Sequence, residues 1–174
     1  MKVLLLSLVL GLVCAQEPQP EPEPLQLSGK WKTHYIAASN QEKTRENGPF
    51  HVYFRSICLA NPKDTVSFRF FVKVNGKCVQ FTIKGTKKDN KDYDADYAGK
   101  NKFKIIHVSK NALIGYNENV DEEGKITKMT IFFGKGNKTE AQDLEKFKEL
   151  TREKGIPEEN IVHILKTDDC PSSE

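Results

Sequence analysis

The sequence predicts a mainly β protein: an eight-stranded antiparallel up-and-down barrel, one C-terminal α-helix packed outside it, and a short extra edge strand. Three observations carry this expectation. Eight short runs with strand-like patterning follow one another between residues 31 and 134, joined by short turns. The hydrophobic period then changes once, from two to that of a helix, at residues 139–155. Before the first run stands Gly29-Lys30-Trp31, where a large flat apolar side chain can plug one barrel end while the glycine lets the backbone turn beneath it.

Residues 1–15 read as a signal peptide: Lys2 supplies the positive start, residues 3–13 an apolar stretch, and Val13-Cys14-Ala15 a small-residue cleavage site. That stretch is too short to span about 30 Å of hydrocarbon, so a secreted, extracellular chain of roughly 159 residues without membrane insertion is expected. Residues 16–28 alternate Glu or Gln with Pro before an entry turn and read as an extended tail. Residues 29–136 would form the barrel, 137–155 a loop and helix, and 156–174 a C-terminal segment.

The first strand is residues 31–38. In the second, Phe50, Val52 and Phe54 alternate with His51, Tyr53 and Arg55. The third, residues 65–74, puts Phe68, Phe70 and Val72 on one face, with Phe71 breaking the alternation. Asn75-Gly76 is a two-residue hairpin signal leading into residues 78–87, where Phe81 and Ile83 share a face. Asp89-Asn90 marks a further turn, followed by runs at 93–97, 101–108 and 112–120. A last turn at 121–124 leads to 125–134, with Met129, Ile131 and Phe133 alternating with Lys128, Thr130 and Phe132.

Thr139-Glu140-Ala141-Gln142 matches a capping box, with Thr139 as the N-cap. Ala141, Leu144, Phe147 and Leu150 then give one apolar helical stripe, and Gly155 and Pro157 end the helix. Residues 161–165 read as the added edge strand.

An eight-stranded barrel is just wide enough for its own side chains or one small ligand. The inward set is Phe50, Val52, Phe68, Phe70, Phe103, Met129, Ile131 and Phe133. A filled aromatic core is the plain reading; adaptable Phe and Met walls beside Gly115 fit a cavity better.

Composition excludes several classes. The formal charge of +3 falls to +2 without Lys2, and opposite charges are interspersed. Lys84, Lys87, Lys88 and Lys91 flank a turn carrying Asp89 and Asp92, so no nucleic-acid groove is expected. His34, His51, His107 and His163 lack metal-ligand spacing and read as surface or strand-edge residues; neither metal nor cofactor is expected. The inward parity carries no Lys or Arg for a siderophore.

With Cys14 gone, Cys58, Cys78 and Cys170 remain, an odd count that implies one bridge and one leftover thiol, with three pairings open. Cys170 lies in a polar tail where tethering is most useful. Pairing with Cys78 would close about 92 residues, worth roughly 4–5 kcal/mol as an upper figure. Asn137-Lys138-Thr139 is an N-glycosylation sequon.

Gly29-Lys30-Trp31 is joined by Tyr93-Asp94-Ala95-Asp96-Tyr97-Ala98-Gly99, by Asn119-Val120-Asp121, by Gly155-Ile156-Pro157 and by Asp169-Cys170-Pro171. Together these resemble the lipocalins, specifically their mammalian odorant-binding branch, over the whole mature chain. The resemblance implies a calyx that carries small volatile apolar molecules, odorants or pheromones, without chemistry, as a monomer or weak homodimer. It implies the Cys78–Cys170 bridge, leaving Cys58 as the leftover thiol. It implies a lining of Ile36, Phe50, Val52, Phe68, Phe70, Tyr97, Phe103, Gly115, Asn117, Met129, Ile131 and Phe133, with Tyr97 and Asn117 each able to donate a hydrogen bond. Gly115 replaces a bulkier aliphatic residue of relatives, and Ile131 and Phe133 replace smaller ones. At the barrel's closed end, Lys135 would stack across Trp31 beside Gly29.

Two other readings stand beside the carrier. One is a thiol-dependent isomerase using Cys58, whose parity with Phe50 and Val52 would aim it at the cavity mouth; no neighbouring cation is placed to activate it. The other is a secreted interaction or immune-modulating barrel with an empty or filled interior.

Overall fold

The computed structural model describes residues 27–59, 64–88 and 92–172. The expected signal peptide, most of the tail and the Asp89-Asn90 turn lie outside the described residues. The strands are β1 (Gly29–Lys30), β2 (Lys32–Ala38), β3 (Val52–Leu59), β4 (Thr65–Val74), β5 (Lys77–Lys87), β6 (Tyr93–Asp96), β7 (Lys100–Val108), β8 (Ala112–Val120), β9 (Ile126–Gly134) and β10 (Ile161–His163). One helix, α1 (Ala141–Glu153), lies between β9 and β10.

The sheet order is β1-β3-β4-β5-β6-β7-β8-β9-β2-β10, with every pairing antiparallel. β1 and β2 are one strand interrupted at Trp31. Its first piece pairs with β3 and its second with β9, so the same strand flanks the run from β3 to β9 on both sides and closes it, with β10 added outside β2. Counted this way, the barrel has the expected eight strands. Beyond the joint, the Phe54 backbone N–H donates to the Thr33 hydroxyl across 3.0 Å, stitching β2 to β3.

The β4–β5 hairpin has the backbone that Asn-Gly demands. Asn75 and Gly76 both have positive φ, 52° and 82°, which matches the right-handed twist of the flanking strands. Gly99, after β6, has a φ of +115° and lies where a Cβ would collide with the Val120 carbonyl, so this turn admits no side chain.

Two apolar clusters result. The inner one runs from Trp31 through Phe54, Phe68, Phe70, Leu113, Met129 and Phe133. The outer one joins Ala37, Ala112, Ile114 and Phe132 of the barrel wall to Phe147 and Ile156, seating α1 against β9. A 2.7 Å hydrogen bond between the hydroxyls of Thr130 and Thr151 pins the same contact. Residues 161–163 form the expected edge strand on β2; a 3-10 turn, Leu165–Thr167, follows instead of further strand.

Thr139 does not cap α1. Glu140 occupies the N-cap without a side-chain bond, and the Thr139 hydroxyl lies 2.8 Å from His34 Nδ1 instead. His34 is fully buried and stacks on Phe132, so its two ring nitrogens need partners. Nε2 lies 2.8 Å from the Gly136 carbonyl, which only accepts, so Nε2 carries the proton and Thr139 donates to Nδ1. His51 is also buried, its Nδ1 on the Thr44 carbonyl. The expectation of surface histidines fails for both, because each bridges two segments of backbone.

The C-terminal segment covers the outer face of β3 and β4. Cys78 and Cys170 form a disulfide across a sequence separation of 92. Beside it, Arg55 makes two 2.8 Å hydrogen bonds to the Asp168 carboxylate, with both side chains at most 5% exposed, and lies over the Phe71 ring.

Candidate functional site

The barrel interior holds a small cavity of about 70 Å³. Phe50, Val52, Phe54, Phe68, Phe70, Ile83, Ala95, Phe103 and Ile131 form its apolar walls, and Tyr97, Asn101 and Asn117 its polar margin. Rings pack edge-on or stacked around it: Phe50 and Phe70 each meet Tyr97 edge-on, at 5.3 and 5.2 Å, and Phe68 meets Phe103 at 5.3 Å. For scale, an apolar cavity of about 150 Å³ accepts benzene. A ligand larger than that requires these rings to turn.

Of the expected lining, Phe50, Val52, Phe68, Phe70, Tyr97, Phe103, Asn117 and Ile131 come together here. Ile36, Gly115, Met129 and Phe133 do not line the cavity. Phe54 stands in front of Phe133, with ring centroids 4.8 Å apart, and stacks on Phe70 at 5.1 Å. Phe103 covers Gly115 so closely that a Cβ there would lie 2.5 Å from its ring. Ile36 and Met129 are fully buried in the inner cluster. Parity places a residue inside the barrel, but ring size decides which residue reaches the cavity.

Phe54, Ile83, Ala95 and Asn101 line the cavity as well, outside the expected set. Phe54 shares the alternation of Phe50 and Val52, so its signal was available. Asn101 carried one too: it lies opposite Asn119, two positions from the Phe103–Asn117 pair, which puts three asparagines on neighbouring inward positions.

The asparagines form a network. Asn101 Nδ2 donates to the carbonyls of Ala95 at 3.2 Å and Tyr97 at 2.9 Å. Asn117 and Asn119 each donate to Asn101 Oδ1 at 3.0 Å, and Asn119 also donates to the Ala98 carbonyl. The turn of the tyrosine signature is thus held by side-chain amides. The Tyr97 hydroxyl donates to the Pro49 carbonyl at 2.5 Å, and burial pushes its pKa up. The Tyr97 hydroxyl hydrogen is therefore engaged on backbone, and one of the two Asn117 N–H groups on Asn101.

The mouth loop between β2 and β3 carries a 3-10 turn, Gln41–Thr44, and is tied down at Lys43, whose ammonium lies 3.0 Å from Asp121 Oδ2. The Lys125 backbone N–H and then the Lys43 ammonium hold Asp121 near pKa 2. At the other end, Trp31 is 1% exposed and its indole N–H donates to the Leu27 carbonyl at 2.9 Å. Lys135 Nζ stands 5.1 Å from the Trp31 ring centroid, and Gly29 precedes the joint with a φ of +135°. Asn137 is exposed, its Oδ1 accepting from Lys32 Nζ at 2.9 Å.

Cys58 corrects two expectations. It is disulfide-bonded, and the described residues contain no free cysteine. Nor does Cys58 share the face of Phe50 and Val52. A bulge between Phe54 and Ser56 flips the parity, so Ile57 opposes inward Phe68 while Cys58 opposes Ser67 on the outer side. Cys58 is therefore not aimed at the cavity mouth, as the isomerase reading required. Among the described residues, the cluster close enough to hold a metal is Cys78, Asp169 and Cys170, and both sulfurs are spent on the disulfide. No helix among those residues is long and apolar enough to cross a membrane.

Comparison with known proteins places this architecture. Residues 28–168 match the model of the lipocalin / cytosolic fatty-acid binding protein family. An odorant-binding protein of Bos taurus is 46% identical over 160 residues, covering 92% of this chain and 100% of that relative. A crystal structure of a dog lipocalin allergen superposes with a TM-score of 0.82 at 45% identity, over 84% of this chain and 99% of that one. A bovine odorant-binding protein in complex with undecanal matches with a TM-score of 0.64 at 44% identity, over 89% and 99%.

Proposed function

This chain belongs to the lipocalin / cytosolic fatty-acid binding protein family, in its mammalian odorant-binding branch, and on that premise we propose that it is a secreted carrier of small hydrophobic molecules. The observation that carries the reading is the internal cavity walled by nine apolar residues, closed below by the Trp31 cluster and roofed by Phe50 and Tyr97.

Binding is burial without chemistry. Each methylene transferred from water gains about 0.8 kcal/mol, less the cost of ordering the ligand and turning the rings. A ligand of eight to ten carbons gains at most about 6–8 kcal/mol before that cost, so binding is expected on a micromolar or weaker scale. Shape governs selection, because few polar groups face the cavity. The complex of the bovine relative with undecanal supports a chain of that size in a calyx of this type. The proposed ligand-contacting residues are the cavity walls named above, Phe54 and Ile83 included. Secretion is supported by the character of residues 1–15.

The test is extraction of natively purified protein with organic solvent, followed by mass spectrometry. One or a few small apolar molecules in near-stoichiometric amount are expected. An empty extract from protein that also takes up no apolar ligand afterwards would refute the reading.

A further inference from the structure

Resting on the carrier reading, we propose that the polar margin of the cavity is a hydrogen-bond acceptor, Asn117 Oδ1, so that the favoured ligands carry an O–H or N–H donor. Asn117 is then the specificity-determining residue, and Asn101 is the residue that positions it.

The orientation of the amides follows from what backbone carbonyls can do. The two oxygens facing one end of the Asn101 amide, those of Ala95 and Tyr97, only accept, so that end is Nδ2. A flipped amide would set its oxygen against both. Asn101 Oδ1 therefore faces the other way, into β8. There it meets Asn117 and Asn119, and each can approach it only with its own Nδ2.

One fixed amide thus fixes two more. Asn117 is 5% exposed and lines the cavity, and its Oδ1 is buried without a hydrogen-bond partner among the described residues. The neighbouring Tyr97 hydroxyl has spent its hydrogen on Pro49, so it too meets a ligand as an acceptor. A ligand hydroxyl supplies what Asn117 Oδ1 lacks. A ketone of the same skeleton has no hydrogen to donate and leaves that acceptor desolvated and unmet.

The experiment is calorimetric titration of the native protein with 2-octanol and 2-octanone, which share one carbon skeleton. The alcohol is expected to bind roughly three- to tenfold tighter, the scale of one neutral hydrogen bond. In Asn117→Leu that ratio should fall towards one, and in Asn101→Leu, which releases the Asn117 amide, it should fall as well. Equal affinities in the native protein, tighter binding of the ketone, or an undiminished ratio in Asn117→Leu would overturn the proposal. The native ratio decides even where a variant fails to fold. Saturable binding of neither ligand would defeat the carrier reading itself, and the proposal with it.

Discussion

The Phe103 ring lies directly over Gly115: a methyl at that glycine would come within 2.5 and 2.6 Å of the ring's Cε1 and Cζ. Phe103 pairs with Asn117 and Gly115 with Ile105, so the two are diagonal neighbours across β7 and β8, and the missing side chain on one strand makes room for the ring from the other. Phe103 in turn meets Phe68 edge-on and forms one wall of the cavity, so a glycine outside the lining sets the shape of the lining.

Gly115→Ala should therefore reduce ligand affinity by driving Phe103 into the cavity, and cost about 1–3 kcal/mol of stability through overpacking. Adding Phe103→Leu should restore part of both, because the shorter side chain clears the new methyl. A double-mutant cycle read by thermal unfolding and ligand titration checks the coupling; additive effects would contradict it.

Asp168→Ala should destabilise the fold by about 3–5 kcal/mol, because it strands the buried Arg55 guanidinium without its carboxylate. Cys170→Ser should cost up to roughly 4–5 kcal/mol by releasing the loop closed between residues 78 and 170. Urea unfolding of each variant measures these losses. They should not add fully, since both anchor the same C-terminal segment to β3 and β4.

Burial holds the pKa of His34 below its ordinary value of 6.5, against the opposing pull of the Gly136 carbonyl. His163 is lowered as well, by burial and then by Lys166. Below pH 6.5 the unfolded chain takes up protons that the folded chain refuses, so stability falls as pH drops below that value and levels off beneath the folded pKa. Denaturant midpoints at pH 7.5 and 5.0 test the direction. His34→Gln should remove part of the difference and leave the share belonging to His163.

Much of this architecture was legible in the sequence. Strand positions followed from the two-residue period, the β4–β5 turn from Asn75-Gly76, and α1 from the stripe through Leu144 and Phe147. What escaped were consequences of tertiary contact. The bulge after Phe54 reverses the parity of β3, which no alternation count foresees, and it moves Cys58 off the inner face. Thr139 matches a capping box locally, yet the buried His34 ring claims its hydroxyl. Asn117 offers both donor and acceptor by residue type. Only the carbonyls facing Asn101 fix which end of the Asn117 amide the network engages.

As a carrier, the barrel would hold one small apolar molecule beneath Phe50 and against Ile131. Calorimetric titration of delipidated protein with 2-octanol, alongside Ile131→Trp, whose indole would fill the cavity, tests it most directly. Saturable one-to-one binding is expected in the native protein, on a micromolar or weaker scale, with its loss in a folded Ile131→Trp variant. Non-saturable heats in the native protein, or undiminished binding once the cavity is filled, would contradict it.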